Sequence, residues 1–226
     1  MKKFPVNYFS PELRELIEAD EYLVRVQTSL ARKRSEWDKC GFGNAAYVAG
    51  SIRARIVELR KAYTQEMIRL SKNVPIVQSA TGVSNIGYSE FLRVAIRIDI
   101  FKADNPAKLW RYFGYGLSRN KIPDRLMAIT SVTEGTHNGK ARKALSVITI
   151  RLMRAGSPYR REYDAYVARH LSAGVHLAKA IPRGRRYITK LWLKHLWRVW
   201  RRLEGLPYDN HHPDDKTIFA SDFGWL

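Results

Sequence analysis

Apolar positions recur along most of this chain at intervals of three, four and seven, the spacing of helix faces. Ser10-Pro11-Glu12 supplies an N-cap, a first-turn proline and an acid near the positive end of a helix dipole, so a helix is predicted to start there. Leu16, Leu23, Leu30 and Trp37 then repeat every seven residues with Ala19 and Val26 between them, and CGFGN at 40–44 supplies the stop. A second helix is predicted over about 45–72, where Ala49, Ile52, Ile56, Leu59, Tyr63 and Leu70 keep a three-four spacing broken only at Glu66. The two segments predict a helical hairpin or coiled coil whose stripe serves as core or dimer interface.

After Pro75 the pattern shortens. SATGVSNIGYSEFLRVAI, residues 79–96, sets two glycines and small polar residues ahead of an apolar helical run (Phe91, Leu92, Val94, Ala95, Ile98). Asn105-Pro106 starts a short helix carrying Leu109, Trp110 and Phe113, and Gly114 and Gly116 end it. Residues 117–139 are turn-formers and β-branched residues that suit a loop or small hairpin. Helices return over about 140–154, 158–171 and 185–203, with Gly156, Gly174, Gly184 and Gly205 as punctuation. The expected architecture is all-α: a coiled-coil arm over 1–73, a helical domain over 74–205 and an extended tail over 206–226.

Charge sharpens this picture. Forty Lys and Arg against 21 Asp and Glu give a formal charge of +19, which points to polyanions as partners. The surplus is concentrated: residues 140–203 hold seventeen Lys or Arg against only Glu162 and Asp164. No stretch approaches the roughly 20 continuous apolar residues of a membrane span, and MKKFPVNYF lacks the apolar core of a signal peptide. An intracellular protein, in cytoplasm or nucleoid and without a membrane partner, is therefore expected. Cys40 stands alone, so neither an internal disulfide nor a four-cysteine zinc site is expected.

Two segments carry candidate chemistry. A chain that turns tightly and then opens a helix points unpaired amides outward, and with the helix dipole these favour an anion. Gly82 and Gly87 would supply positive backbone angles there, and Ser79, Thr81, Ser84 and Asn85 would add side-chain donors to a phosphate. Such a helix-hairpin-helix grips a DNA backbone without reading bases; no Gly-Lys-Ser or Gly-Lys-Thr follows, so this is not a nucleotide phosphate loop. In RRYITKLWLKHLWRVWRRLEG, Ile188, Trp192, Leu196, Val199 and Leu203 form an inward stripe, while Arg186, Lys190, Lys194, Arg198 and Arg201 fall three or four apart as a cationic ridge. Trp197 and Trp200 are candidates for stacking on unpaired bases or for burial. Lys140, Arg142, Lys143, Arg160 and Arg161 would extend the phosphate surface. His211, His212, Asp214 and Asp215 are conceivable metal ligands, but adjacent histidines in a proline-containing tail do not make a fixed site, and no metal or cofactor is expected. Asp20 and Glu21 are expected to face water.

The order of parts resembles the C-terminal transposase domain of the bridge-RNA-guided insertion sequences numbered one-ten. In that family a Pro-Gly-Ile-Gly hairpin precedes a Leu-Ala-x-x-x-Gly-Leu helix, and a Gly-Asn-x-x-Leu-Arg helix follows. Gly82-Val83 matches the hairpin, Leu109 to Leu117 the second element and Gly139 to Leu145 the third, so the likeness spans roughly 75–171. Ser84 replaces the hairpin's second glycine. The family's RuvC-like carboxylates are not expected in this chain, whose helical arm is predicted to start about ten residues from Met1. Its serine nucleophile, usually followed by glycine, has Ser131 in AITSVTEG as the nearest positional match, without that glycine.

These readings predict a DNA-binding protein of mobile-element or viral origin that holds duplex or branched DNA by its phosphates and dimerises through the N-terminal helices. The alternatives are a reduced serine transposase or recombinase cleaving DNA through Ser131, and a binder of structured RNA.

Overall fold

A computed structural model describes residues 9–81, 86–116, 138–154 and 156–208. The protein is all-α: the described residues form eight helices and no strand. It divides into two compact units, Met1–Asn73 and Val74–Leu226.

The first unit is two long helices, α1 (Pro11–Lys39) and α2 (Gly43–Ser71). Ser10 caps α1, its hydroxyl accepting from the Leu13 N–H at 3.2 Å, with Pro11 in the first turn. Only Cys40 to Phe42 separate the helices. Asp20 and Gln27 of α1 meet Arg60 of α2, while Arg34 lies across Gly50, so the pair runs antiparallel. The buried apolar positions are Leu13 and Ile17 on α1 and Ala46, Ala49, Ile56 and Met67 on α2. The predicted heptad stripe is not this core: Leu16, Leu23, Leu30 and Trp37 are half-buried, and Ile52 and Leu59 are each 44% exposed. A helix with a single neighbour has only a narrow strip covered, so an apolar stripe about 100° wide spills past the contact. Asp20 also departs from expectation. Instead of facing water it is fully buried, and its carboxylate accepts from Arg60 Nε at 2.7 Å.

The second unit contains α3 (Pro75–Thr81), α4 (Tyr88–Ala95), α5 (Pro106–Tyr112), α6 (Gly139–Leu152), α7 (Pro158–Ser172) and α8 (Leu177–Leu203). Asn105 and Asn138 cap α5 and α6, accepting from Lys108 N–H at 3.1 Å and Ala141 N–H at 3.0 Å. The long α8 is the axis of the unit: α3, α5, α6 and α7 all pack on it, and α4 packs on α6. Trp192, Leu193 and Leu196 are completely buried, and Trp192 meets the edge of Phe91 at 6.5 Å. Two pairs of polar groups inside this core satisfy each other. Tyr159 Oη lies 2.8 Å from His195 Nδ1, and the Thr149 and Thr189 hydroxyls lie 2.8 Å apart.

One predicted breaker, Gly184, is absorbed into α8, which begins at Leu177 rather than near 185. Gly174 takes φ +77° and turns the chain after α7, and His176 then caps α8 with its side chain on the Ala178 N–H. Pro182 lies inside the helix. Gly184 is buried against α7, where an added Cβ would fall 2.7 Å from Val167 Cγ2 and 2.8 Å from Tyr163 Cε2. Gly184→Ala sets a helix-propensity gain of about 1 kcal/mol against an overpacking cost of about 1–3 kcal/mol, so a net loss of about 1 kcal/mol is expected in thermal unfolding. A stabilised variant would mean that Tyr163 and Val167 yield freely.

Candidate nucleic-acid interface

The predicted phosphate hairpin falls between α3 and α4. Gly82, Ser84 and Asn85 lie outside the described residues, and Thr81 is the last residue of α3. At the described edges the expected donors are differently engaged. Ser79 is 3% exposed, so its hydroxyl faces the interior rather than a ligand. Gly87 is the N-cap of α4 with extended backbone, φ −72° and ψ 149°, not the positive angle expected of it. Glu90 in the first turn reaches back over Gly87, where an added Cβ would collide with its carboxylate, and Arg151 of α6 ties Glu90 down at 3.1 Å. A first-turn glutamate folded toward the N-cap already sets a carboxylate of the chain itself at the positive end of α4.

The cationic ridge of α8 separates into three environments. Arg201 is 6% exposed: its Nε donates to Pro207 O at 2.6 Å, its Nη1 to Ala103 O at 3.0 Å and Ile100 O at 3.2 Å, and it stacks on Trp197 at 5.4 Å. It fastens the 96–105 segment to α8 instead of reaching solvent. Lys190, Lys194 and Arg198 are half-buried. Lys190 sits 4.7 Å above the Trp110 ring; burial first, and neighbouring Arg186 second, hold its ammonium below the usual lysine range. Arg186 is exposed, and its guanidinium donates to Tyr115 O and Gly116 O at 3.0 Å each. Trp197 and Trp200 are 2% and 1% exposed, so neither has a face for a base; Trp197 Nε1 donates to Ala103 O at 2.6 Å.

The open cations lie elsewhere. Lys140, Arg142 and Lys143 are exposed on the first turns of α6, with Arg142 5.8 Å over the Tyr115 ring. Arg160 and Arg161 are exposed at the start of α7; Arg160 is bridged to Asp164 at 2.7 Å, while Arg161 points outward. Arg154, Arg169, Lys179, Arg183 and Arg185 are exposed as well, and sequence reading passed them over. The signal for Lys179 and Arg183 was α8 beginning at Leu177: about two more turns of helix than expected place Lys179, Arg183 and Arg186 at four- and three-residue spacing.

Ser131, His211, His212, Asp214 and Asp215 lie outside the described residues. Among the described residues no group of three His, Cys, Asp or Glu side chains converges on a metal position, and no helix is long and apolar enough to cross a membrane. No family model, curated protein or solved structure matches the chain.

Proposed function

We propose that this chain binds duplex or branched DNA, mainly through phosphates, as a relative of the end domain of the one-ten insertion-sequence transposases. The observation that carries the reading is the unbalanced surface of the second unit: twelve of the seventeen Lys and Arg between 140 and 203 are exposed, opposed by two acids of which one already pairs with Arg160. Solubility does not require such an imbalance, and a polyanion neutralises it. The kinship rests on the three matched sequence segments, of which Gly82-Val83 and Leu117 lie outside the described residues.

A competition series tests this: labelled duplex displaced at fixed salt by unlabelled duplex, branched DNA, single strands and structured RNA. Duplex or branched DNA is expected to compete best, with log K falling steeply against log salt, because each neutralised phosphate releases about 0.9 counterion. Structured RNA displacing the duplex at lower concentration than DNA does would overturn the DNA assignment.

The first unit is the dimerisation arm in this reading. Val48, Ile52 and Leu59 leave an exposed apolar stripe on α2, which a second copy covers. Ile52→Lys with Leu59→Lys is expected to convert a dimer to a monomer in sedimentation equilibrium while far-UV circular dichroism stays helical. A monomeric wild type would remove this part of the reading.

A further inference from the structure

Helix α6 presents an outer face of unusual composition. Ala141, Leu145, Ile148 and Leu152 turn into the core, and on the opposite side Lys140, Lys143, Val147 and Ile150 follow one another at intervals of three, four and three. Val147 is 38% and Ile150 56% exposed, and Arg154, just past the helix end, is exposed too. The face thus has two β-branched apolar side chains held between cations, and no acid.

Three kinds of surface would accept an apolar patch, and charge separates them. A second copy of α6 would set Lys140, Lys143 and Arg154 against their own kind, whichever way the helices ran. A lipid surface is recognised by a whole apolar helix face, whereas α6 buries its apolar face in the core and leaves only two side chains outside. The major groove of duplex DNA meets both requirements. At about 12 Å wide it admits a helix, its walls are phosphates, and the one apolar group on its floor is the C5-methyl of thymine. Fourteen residues give α6 a length of about 21 Å, enough to cross that groove with cations reaching both walls.

We propose that α6 seats in the major groove, with Lys140, Lys143 and Arg154 on phosphates and Val147 and Ile150 against thymine methyl groups, so that the chain favours thymine-rich duplexes. This rests on the DNA-binding reading and adds a readout that phosphate contacts alone do not give.

The experiment compares the full chain on a duplex of alternating adenine and thymine with the same duplex carrying uracil, which removes only the methyl groups. Wild type should lose about fourfold in affinity for each methyl contact, roughly fifteenfold for two. Val147→Ala with Ile150→Ala, both at exposed positions of a helix that alanine favours, should bind the two duplexes equally, which makes the coupling between side chain and methyl the readout. Equal wild-type affinity for both duplexes, with tight binding retained, would overturn the proposal and leave phosphate binding standing. The same loss on uracil in wild type and variant would assign the preference to duplex shape and overturn it equally. Absence of binding to either duplex would overturn the DNA reading along with it.

Discussion

Arg60→Ala is expected to destabilise the first unit by about 3–5 kcal/mol, read as an early transition in urea or thermal unfolding followed by circular dichroism. The carboxylate of Asp20 has no exposed side-chain surface, and Arg60, 27% exposed, supplies its cation through Nε at 2.7 Å while Nη1 donates to Gln27 at 2.9 Å. Truncating Arg60 leaves a buried negative charge without that cation, a penalty set by the cost of holding an anion away from water. A two-helix unit has little to set against it, since whole domains are stable by only about 5–15 kcal/mol. Removing both charges separates the two meanings of a buried pair. Asp20→Leu with Arg60→Met should recover most of the loss, because apolar side chains of similar volume replace a desolvated pair at little cost. If Arg60→Ala unfolds within about 0.5 kcal/mol of wild type, the usual range for a surface substitution, Asp20 is solvated in solution.

The fate of Asp20 shows where sequence reading stops. Helix starts were legible because Ser10-Pro11 and Asn105-Pro106 act within one turn: a side-chain oxygen accepts an N–H three residues on, and no distant contact is needed. The all-α class was legible for a similar reason, since helical spacing is written along the chain. Burial is decided between segments, and there the reading held for Ile188, Trp192, Leu196 and Val199 of the expected inward stripe but failed at Leu203, which is 37% exposed, and at Asp20. Asp20 looked like a water-facing acid because its cation lies forty residues away. Gly184 looked like a boundary, yet its contact with Tyr163 and Val167 exploits the missing side chain and keeps α8 continuous. Along α8, five cations at helical spacing made a ridge in projection. Whether each reached solvent depended on the 96–105 segment and the Trp110 ring, which bring carbonyls to Arg201 and an aromatic face to Lys190. Charge was legible; access was not.

Access also gives the sharpest test of the candidate interface. Lys140→Ala, Lys143→Ala, Arg183→Ala and Arg185→Ala together remove four exposed cations of the second unit. If each meets a phosphate, the slope of log K against log salt should become shallower by about 3 to 4, at about 0.9 per contact. Near 0.1 M salt each lost contact is worth roughly eightfold in affinity on the same relation, so the four together should weaken binding by about a thousandfold or more. Net charge alone predicts a different pattern. A companion variant carrying Arg25→Ala, Arg32→Ala, Arg53→Ala and Arg55→Ala lowers the charge by the same four from exposed positions of the first unit. Diffuse attraction to a polyanion would respond about equally to the two variants, because it depends on total charge screened over a Debye length of about 10 Å. Contact with phosphates would respond to the first alone. All eight positions are exposed and alanine is a good helix former, so both variants should keep the wild-type helical signal. Equal losses from the two would replace a defined interface on the second unit with a diffuse cationic surface over the whole chain, and the seating proposed for α6 would then have no phosphate contacts to hold it in a groove.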